Sequence, residues 1–226
     1  EVTYAFNKKE NSPFEYPMRN LVFSSERDVM SPSDKYLVNN KDNVFMSFRT
    51  QDVRQMYFYD RQQLSFVYES DWGLSVNAGV KAESNEVAGE LHFQPVNGAP
   101  EVFKIRTTEL SAGIRFCPGQ TFVNTKQHRW PVNLDAPEFT LSHTMGFKNF
   151  LGGEYKLNYT EAKIYKRFWL GSWGYVDTHL DGGVQWDKVP FPLLIMPPVN
   201  ITFLEWEGTF SMMDNLEFLT DRYAFG

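Results

Sequence analysis

The chain has 226 residues and a net charge of −6, with Lys and Arg scattered rather than clustered, which argues against nucleic acid as a partner. Its single cysteine, Cys117, excludes an internal disulfide framework and any zinc site built from several thiolates, and reads as an unpaired strand residue. No stretch approaches the ~20 consecutive apolar residues of a membrane helix, and the longest apolar run, around Phe191 to Val199, is broken by prolines.

Residues 1–42, with Pro13, Pro17 and Pro32 and little sustained periodicity, read as a connecting or lead-in segment with at most one short strand or helix. The chain opens at Glu1 without a charged start or an apolar signal core, so a signal peptide is expected to be already gone. Residues 43–226 are strand-rich. Strands are expected over Val53 to Tyr59, Gln63 to Glu69, Leu74 to Glu83, Val87 to Gln94 and Thr107 to Cys117, with turns at residues 60–62, 71–73 and 97–100. A loop follows to Pro137, then a strand from Glu138 to Phe147 and a turn at Gly152 and Gly153. Tyr155 to Trp186 reads as one long hairpin with its turn at Leu170 to Gly174. Its first arm changes face partway, which suggests a bulge or a strand that continues from a membrane into water. The prolines of residues 190–198 exclude a central strand there, and Asn215 to Phe225 ends as a strand.

Three of these segments alternate with period two. Val76, Ala78 and Val80, then Leu110, Ala112 and Ile114, then Val176, Leu180 and Val184 fall on the apolar parity, and the intervening residues are polar. Successive side chains on a strand point to opposite faces, so each segment has one apolar and one wet wall. A membrane barrel turns the apolar wall to lipid and the wet wall to its lumen. A soluble β-sandwich alternates equally well. Aromatic residues make up 16% of the chain, against roughly 8 to 9% in ordinary soluble proteins. Trp72, Trp130, Trp169, Trp173 and Trp186 fall near strand ends, where the girdles of membrane barrels lie.

On the polar parity, Asp177, His179 and Asp181 stack along one strand, while Glu161, Lys163 and Arg167 share a parity on its partner. Carboxylates flanking a histidine suit general base work or a metal, but no nucleophile is tied to them, and the favoured reading is a structural network of opposite charges lining a lumen. His143 sits on an apolar parity, as an interfacial histidine, at a local bulge, or as a satisfied core residue. No phosphate loop, nucleophile elbow or metal-ligand spacing occurs, so no catalytic residue, cofactor or metal is expected. Asn158-Tyr-Thr160 and Asn200-Ile-Thr202 match the glycosylation pattern and are discounted.

The run from Phe116 through Pro118, Gly119, Asn133, Asp135 and Pro137 to His143 and Thr144 resembles a signature stretch of an uncharacterised outer-membrane β-barrel family of Bacteroidota. Asn158 to Ala162, Lys166 to Trp169, Val189 to Leu194 and the tail around Met212, Asn215, Asp221 and Tyr223 extend the resemblance, which spans roughly Asn43 to Gly226 and is densest in the second half. Members of that family pair an N-terminal carboxypeptidase-regulatory-like sandwich, not evident in residues 1–42, with a barrel similar to the surface-antigen and outer-membrane assembly-factor superfamily. The resemblance implies an antiparallel transmembrane β-barrel of which this chain covers part, since further strands follow in the family. It also implies residence in the bacterial outer membrane, contact with its lipid and with other envelope proteins, and a non-enzymatic role in assembly, insertion or export. The alternatives are a gated or passive transporter and a soluble carbohydrate-binding sandwich.

Overall fold

The computed structural model describes residues 1–6, 16–32, 54–93, 100–125, 129–197, 210, 213 and 216–225. They contain eleven strands: β1 (Val2–Ala5), β2 (Met18–Met30), β3 (Gln55–Glu69), β4 (Leu74–Gly89), β5 (Lys104–Phe116), β6 (Phe122–Asn124), β7 (Arg129–Pro131), β8 (Glu138–Gly146), β9 (Leu157–Trp169), β10 (Tyr175–Gln185) and β11 (Arg222–Phe225). Nine form one sheet in the order β1-β2-β3-β4-β5-β8-β9-β10-β11, every pair antiparallel, while β6 and β7 make a small hairpin inside the β5–β8 connection. The fold is all-β and up-and-down, and the sheet is open among the described residues, with β1 and β11 at its edges.

Several expectations change. The first 42 residues contribute two strands, not at most one short one, and β2 runs for 13 residues. Its polar stretch Ser24 to Asp28 hides the alternation, because that half of the strand runs below the apolar zone of the sheet. The two strands expected on either side of residues 60–62 are a single β3, and those expected around residues 84–86 are a single β4. Asp60, Arg61 and Gln62 hold extended backbone against Ser84, Glu83 and Ala82, so polarity there marks depth along a strand, not a turn. Residues 71–73 do make the β3–β4 turn, closed by a Ser70 N–H to Leu74 O bond of 2.8 Å. Of the turn expected at 97–100, residues 97–99 lie outside the described residues.

The Tyr155 to Trp186 hairpin forms as β9 and β10, with a 3-10 turn at Gly171–Trp173 between its arms. No bulge interrupts β9: its pairings to β8 and β10 run one to one from Leu157 to Trp169. Leu157 and Tyr159 occupy the inner parity because the lower end of β9 faces a packed interior, not because the register shifts. Phe191–Leu193 is a second 3-10 turn.

Residues directly opposite across antiparallel strands share a face, so the register assigns every side chain. One row of the outer face reads Leu64, Val80, Leu110, Met145 and Asn158; the next reads Phe66, Ala78, Ala112, His143, Thr160 and Val184. Above these lie Val76, Ile114, Leu141, Ala162 and Gly182, and then Leu74, Phe116, Phe139, Ile164 and Leu180. Val76, Ala78, Val80, Leu110, Ala112, Ile114, Val176, Leu180 and Val184 therefore all lie on one face. The apolar belt climbs as it crosses the sheet. Its lower border rises from between Gln62 and Leu64 on β3 to between Thr160 and Ala162 on β9, and its upper border from Leu21 on β2, where Arg19 lies above, to Phe139 on β8 two rows higher.

Among the described residues the buried apolar core does not lie between two sheets. Met30, Tyr57, Tyr59, Leu91, Phe93 and Ile105 cluster at one end of the inner face, joined by Phe191, Leu193 and Leu216 from the β10–β11 connection.

Candidate functional site

The inner face is polar and cross-linked. On β3–β5 the register sets Arg61 opposite Glu83 and Lys81 opposite Glu109. Arg61 Nε lies 2.7 Å from Glu83, and Lys81 Nζ bridges Glu83 at 3.5 Å and Glu109 at 2.8 Å. Thr107 donates to Glu109 and Asn85 to Glu83. Two buried carboxylates so close together require these cations, since an unpaired buried charge is far costlier than a paired one.

On β9 and β10 the six expected network residues do share this face, and the register pairs Asp177 with Arg167 and Asp181 with Lys163. Arg167 holds Asp177 through two hydrogen bonds of 2.7 and 2.6 Å, and Tyr165 adds a third at 3.1 Å. The same guanidinium lies 3.9 Å from the centroid of the Tyr175 ring. His179 packs against the Tyr165 ring at 4.8 Å. Lys163 turns to Glu161 at 3.3 Å. Glu161 also accepts the hydroxyls of Tyr159 at 2.9 Å and Tyr223 at 2.5 Å. Gly183 makes this clasp possible: a Cβ there would sit 2.4 Å from Tyr223 Cε1 and 2.9 Å from the Tyr159 hydroxyl.

Both ends of the inner face are covered. At one lies the apolar cluster with the β10–β11 connection described above. Over the other, the β6–β7 hairpin brings in Arg129, which grips Glu69 through Nη1 at 2.8 Å and Nη2 at 2.9 Å. Phe122 stacks on the guanidinium at 3.5 Å, Tyr16 at 4.6 Å, and the Tyr16 hydroxyl donates to Glu69. Burial lowers the Arg129 pKa, from a range so high that the group stays charged. Next to this hairpin, Arg115 joins Gln120 and Glu138, both at 2.6 Å.

The outer face carries one polar cluster within its belt. His143 Nδ1 lies 2.9 Å from Thr160 Oγ1, which also accepts the Trp186 indole N–H at 2.8 Å. The ladder is regular at His143, which rules out a local bulge there. Cys117 is a buried free thiol one residue past β5. Among the described residues no group of three or more His, Cys, Asp or Glu is placed to hold a metal.

Sequence reasoning missed Arg129, Glu69, Tyr159, Tyr223 and the Arg61-to-Glu109 ladder. Lys81, Glu83 and Glu109 already stood on the polar parity, but pairing them needs the cross-strand register. Nothing local marks Arg129, whose partner is 60 residues away.

Among the described residues a nine-stranded antiparallel sheet with one apolar and one charged, hydrogen-bonded face defines an all-β protein. The chain belongs to the family of unknown function (DUF5686), matching its C-terminal domain over residues 40–225. No curated protein and no solved structure matches it.

Proposed function

We propose that this chain forms the wall of a β-barrel in the bacterial outer membrane, as in the Bacteroidota family it resembles, and serves envelope assembly, insertion or export without catalysing a reaction. The observation that carries the reading is the slanting outer belt opposite a polar inner face. Barrel strands cross a bilayer tilted by about 35–45°, so a flat apolar slab must cut such a ladder obliquely, as this belt does. Ile114 and Leu180, each 50% exposed, lie within it. A sandwich would cover that face with a second sheet, and none does so among the described residues. His143, Thr160 and Trp186 form a polar cluster low in the belt, where an indole N–H and an imidazole meet headgroups and water.

Between assembly factor and open pore, the covered ends of the inner face favour the former. The specific role in assembly or export rests on family analogy. The test is to express the protein with its native flanking sequence and ask whether it fractionates with outer membranes and needs detergent for extraction. Spin labels at Ile114 and Leu180 should report lipid, and labels at Ser111 and His179 should not. Solubility without detergent, or water at Ile114 and Leu180, would sink the barrel. Large steady conductance in planar bilayers would replace the assembly role with a transporter.

A further inference from the structure

Two adjacent rows of the outer face make the lower border of the belt on β9, β10 and β11. Arg222, Val184, Thr160 and His143 stand opposite one another in the lower row, and Ala224, Gly182 and Ala162 in the upper one. Each side chain of that upper trio is a methyl group or a hydrogen, so the face is hollow there. A groove of about 420 Å³ lies over them, walled above by Ile164 and Leu180. Asp181 and Phe225 also touch it, although the register turns their side chains to the inner face.

At the foot of the groove both charges of one ion pair face outward. Arg222 Nε lies 3.2 Å from Asp221 Oδ1 and Nη2 3.4 Å from Oδ2, with the side chains 76% and 55% exposed. Their backbone is pinned, since Asp221 O accepts the Gln185 N–H at 2.7 Å and the Thr220 hydroxyl accepts the Arg222 N–H at 3.1 Å. The pairing leaves Arg222 Nη1 for a further oxyanion and lone pairs of Asp221 for a further donor. Just past the lower ends of β9 and β10, Lys156 and Asp187 form a second pair at 3.7 Å. Charges that meet the groove here are paired, not of one sign. An anionic head would meet Asp221 as well as Arg222, whereas a zwitterionic head is matched at both.

We infer that the groove holds one acyl chain of a zwitterionic phospholipid, its phosphate on Arg222 and its primary ammonium on Asp221. A primary ammonium donates hydrogen bonds that a quaternary one lacks, which selects an ethanolamine-type head over a choline-type one. His143 and Trp186, joined through Thr160, bound the head on the β9 side. The inference rests on the barrel reading, which puts the outer face in lipid.

The experiment is native mass spectrometry of the intact detergent-extracted protein with equimolar phosphatidylethanolamine, phosphatidylcholine and phosphatidylglycerol. One retained phosphatidylethanolamine is expected to predominate. Arg222→Gln should reduce its retention roughly tenfold, and Asp221→Asn should bring phosphatidylglycerol level with it or above. Gly182→Leu fills the groove and should lower retention of all three lipids. A Cβ at Gly182 meets nothing nearer than Tyr223 O at 3.6 Å, so that variant should fold. Should any variant not fold, the ranking of the three lipids on the unaltered protein decides. Equal retention of the three, a preference for phosphatidylglycerol, an Arg222→Gln protein that keeps its phosphatidylethanolamine, or a lipid-free dimer would each overturn the site. A protein that needs detergent yet shows no ranking overturns the site alone, whereas one that dissolves without detergent overturns the barrel reading as well.

Discussion

Arg129 and Glu69 stand 60 residues apart in the chain and meet as a two-pronged pair at 2.8 and 2.9 Å, each side chain only 11% exposed. The contact ties a hairpin from the β5–β8 connection to the end of β3. It converts a long excursion between neighbouring strands into a fixed cover over the inner face.

Removing one partner should therefore cost much more than removing both. Arg129→Ala or Glu69→Ala leaves a buried charge alone and is expected to lower stability by about 3 kcal/mol or more. The double variant should lose clearly less than the sum of the two singles. Thermal unfolding in detergent, run as a double-mutant cycle, checks both statements; additive losses would mean that the pair is not coupled.

Ile114→Arg and Leu180→Arg place a cation in the outer belt. Each should destabilise the protein in lipid bilayers by roughly 2 to 4 kcal/mol if its site is near the midplane. Equilibrium unfolding from liposomes measures this. Unchanged stability at both positions would argue against burial in lipid.

Gly183→Ala introduces a methyl group where the Tyr223 ring and the Tyr159 hydroxyl already crowd. A loss of about 1 to 3 kcal/mol is expected from overpacking. Tyr223→Leu, which removes the ring, should make the alanine better tolerated. If Gly183→Ala is equally harmful with or without Tyr223, the crowding has another source.

His179→Ala removes the ring that packs on Tyr165 and should reduce thermal stability in detergent by about 1 kcal/mol. Because the residue is read as structural, no reaction rate should change. A stoichiometric metal at Asp177 and His179, or a hydrolytic activity abolished by His179→Ala with folding intact, would overturn that reading.

Much of the fold was legible from alternation alone. Val76, Ala78 and Val80 announced their face because that part of β4 crosses the apolar zone, and the β9–β10 hairpin announced itself through two long arms around a glycine-containing break. β2 and the polar middles of β3 and β4, residues 60–63 and 83–86, did not. There both faces are polar, so the period-two signal vanishes although the ladder continues. The candidate network was half legible: parity put Asp177, His179 and Asp181 on one wall. Only the three-dimensional structure could show that Lys163 turns to Glu161 and that Arg167 takes Asp177. Arg129 and Glu69 lay beyond any local pattern, since a contact across the sheet leaves no trace in spacing.

The unbroken one-to-one pairing of β9 with both neighbours has a further consequence. Displacing that strand by a single residue would carry Ile164 and Ala162 to the inner surface and push Glu161, Lys163 and Arg167 outward together. No small shift is harmless, and no bulge is present to absorb one. The strand therefore has one tolerable seating, and a wrongly seated copy would display three ions where neighbouring strands display hydrocarbon, a defect conspicuous to any machinery that discards misfolded proteins.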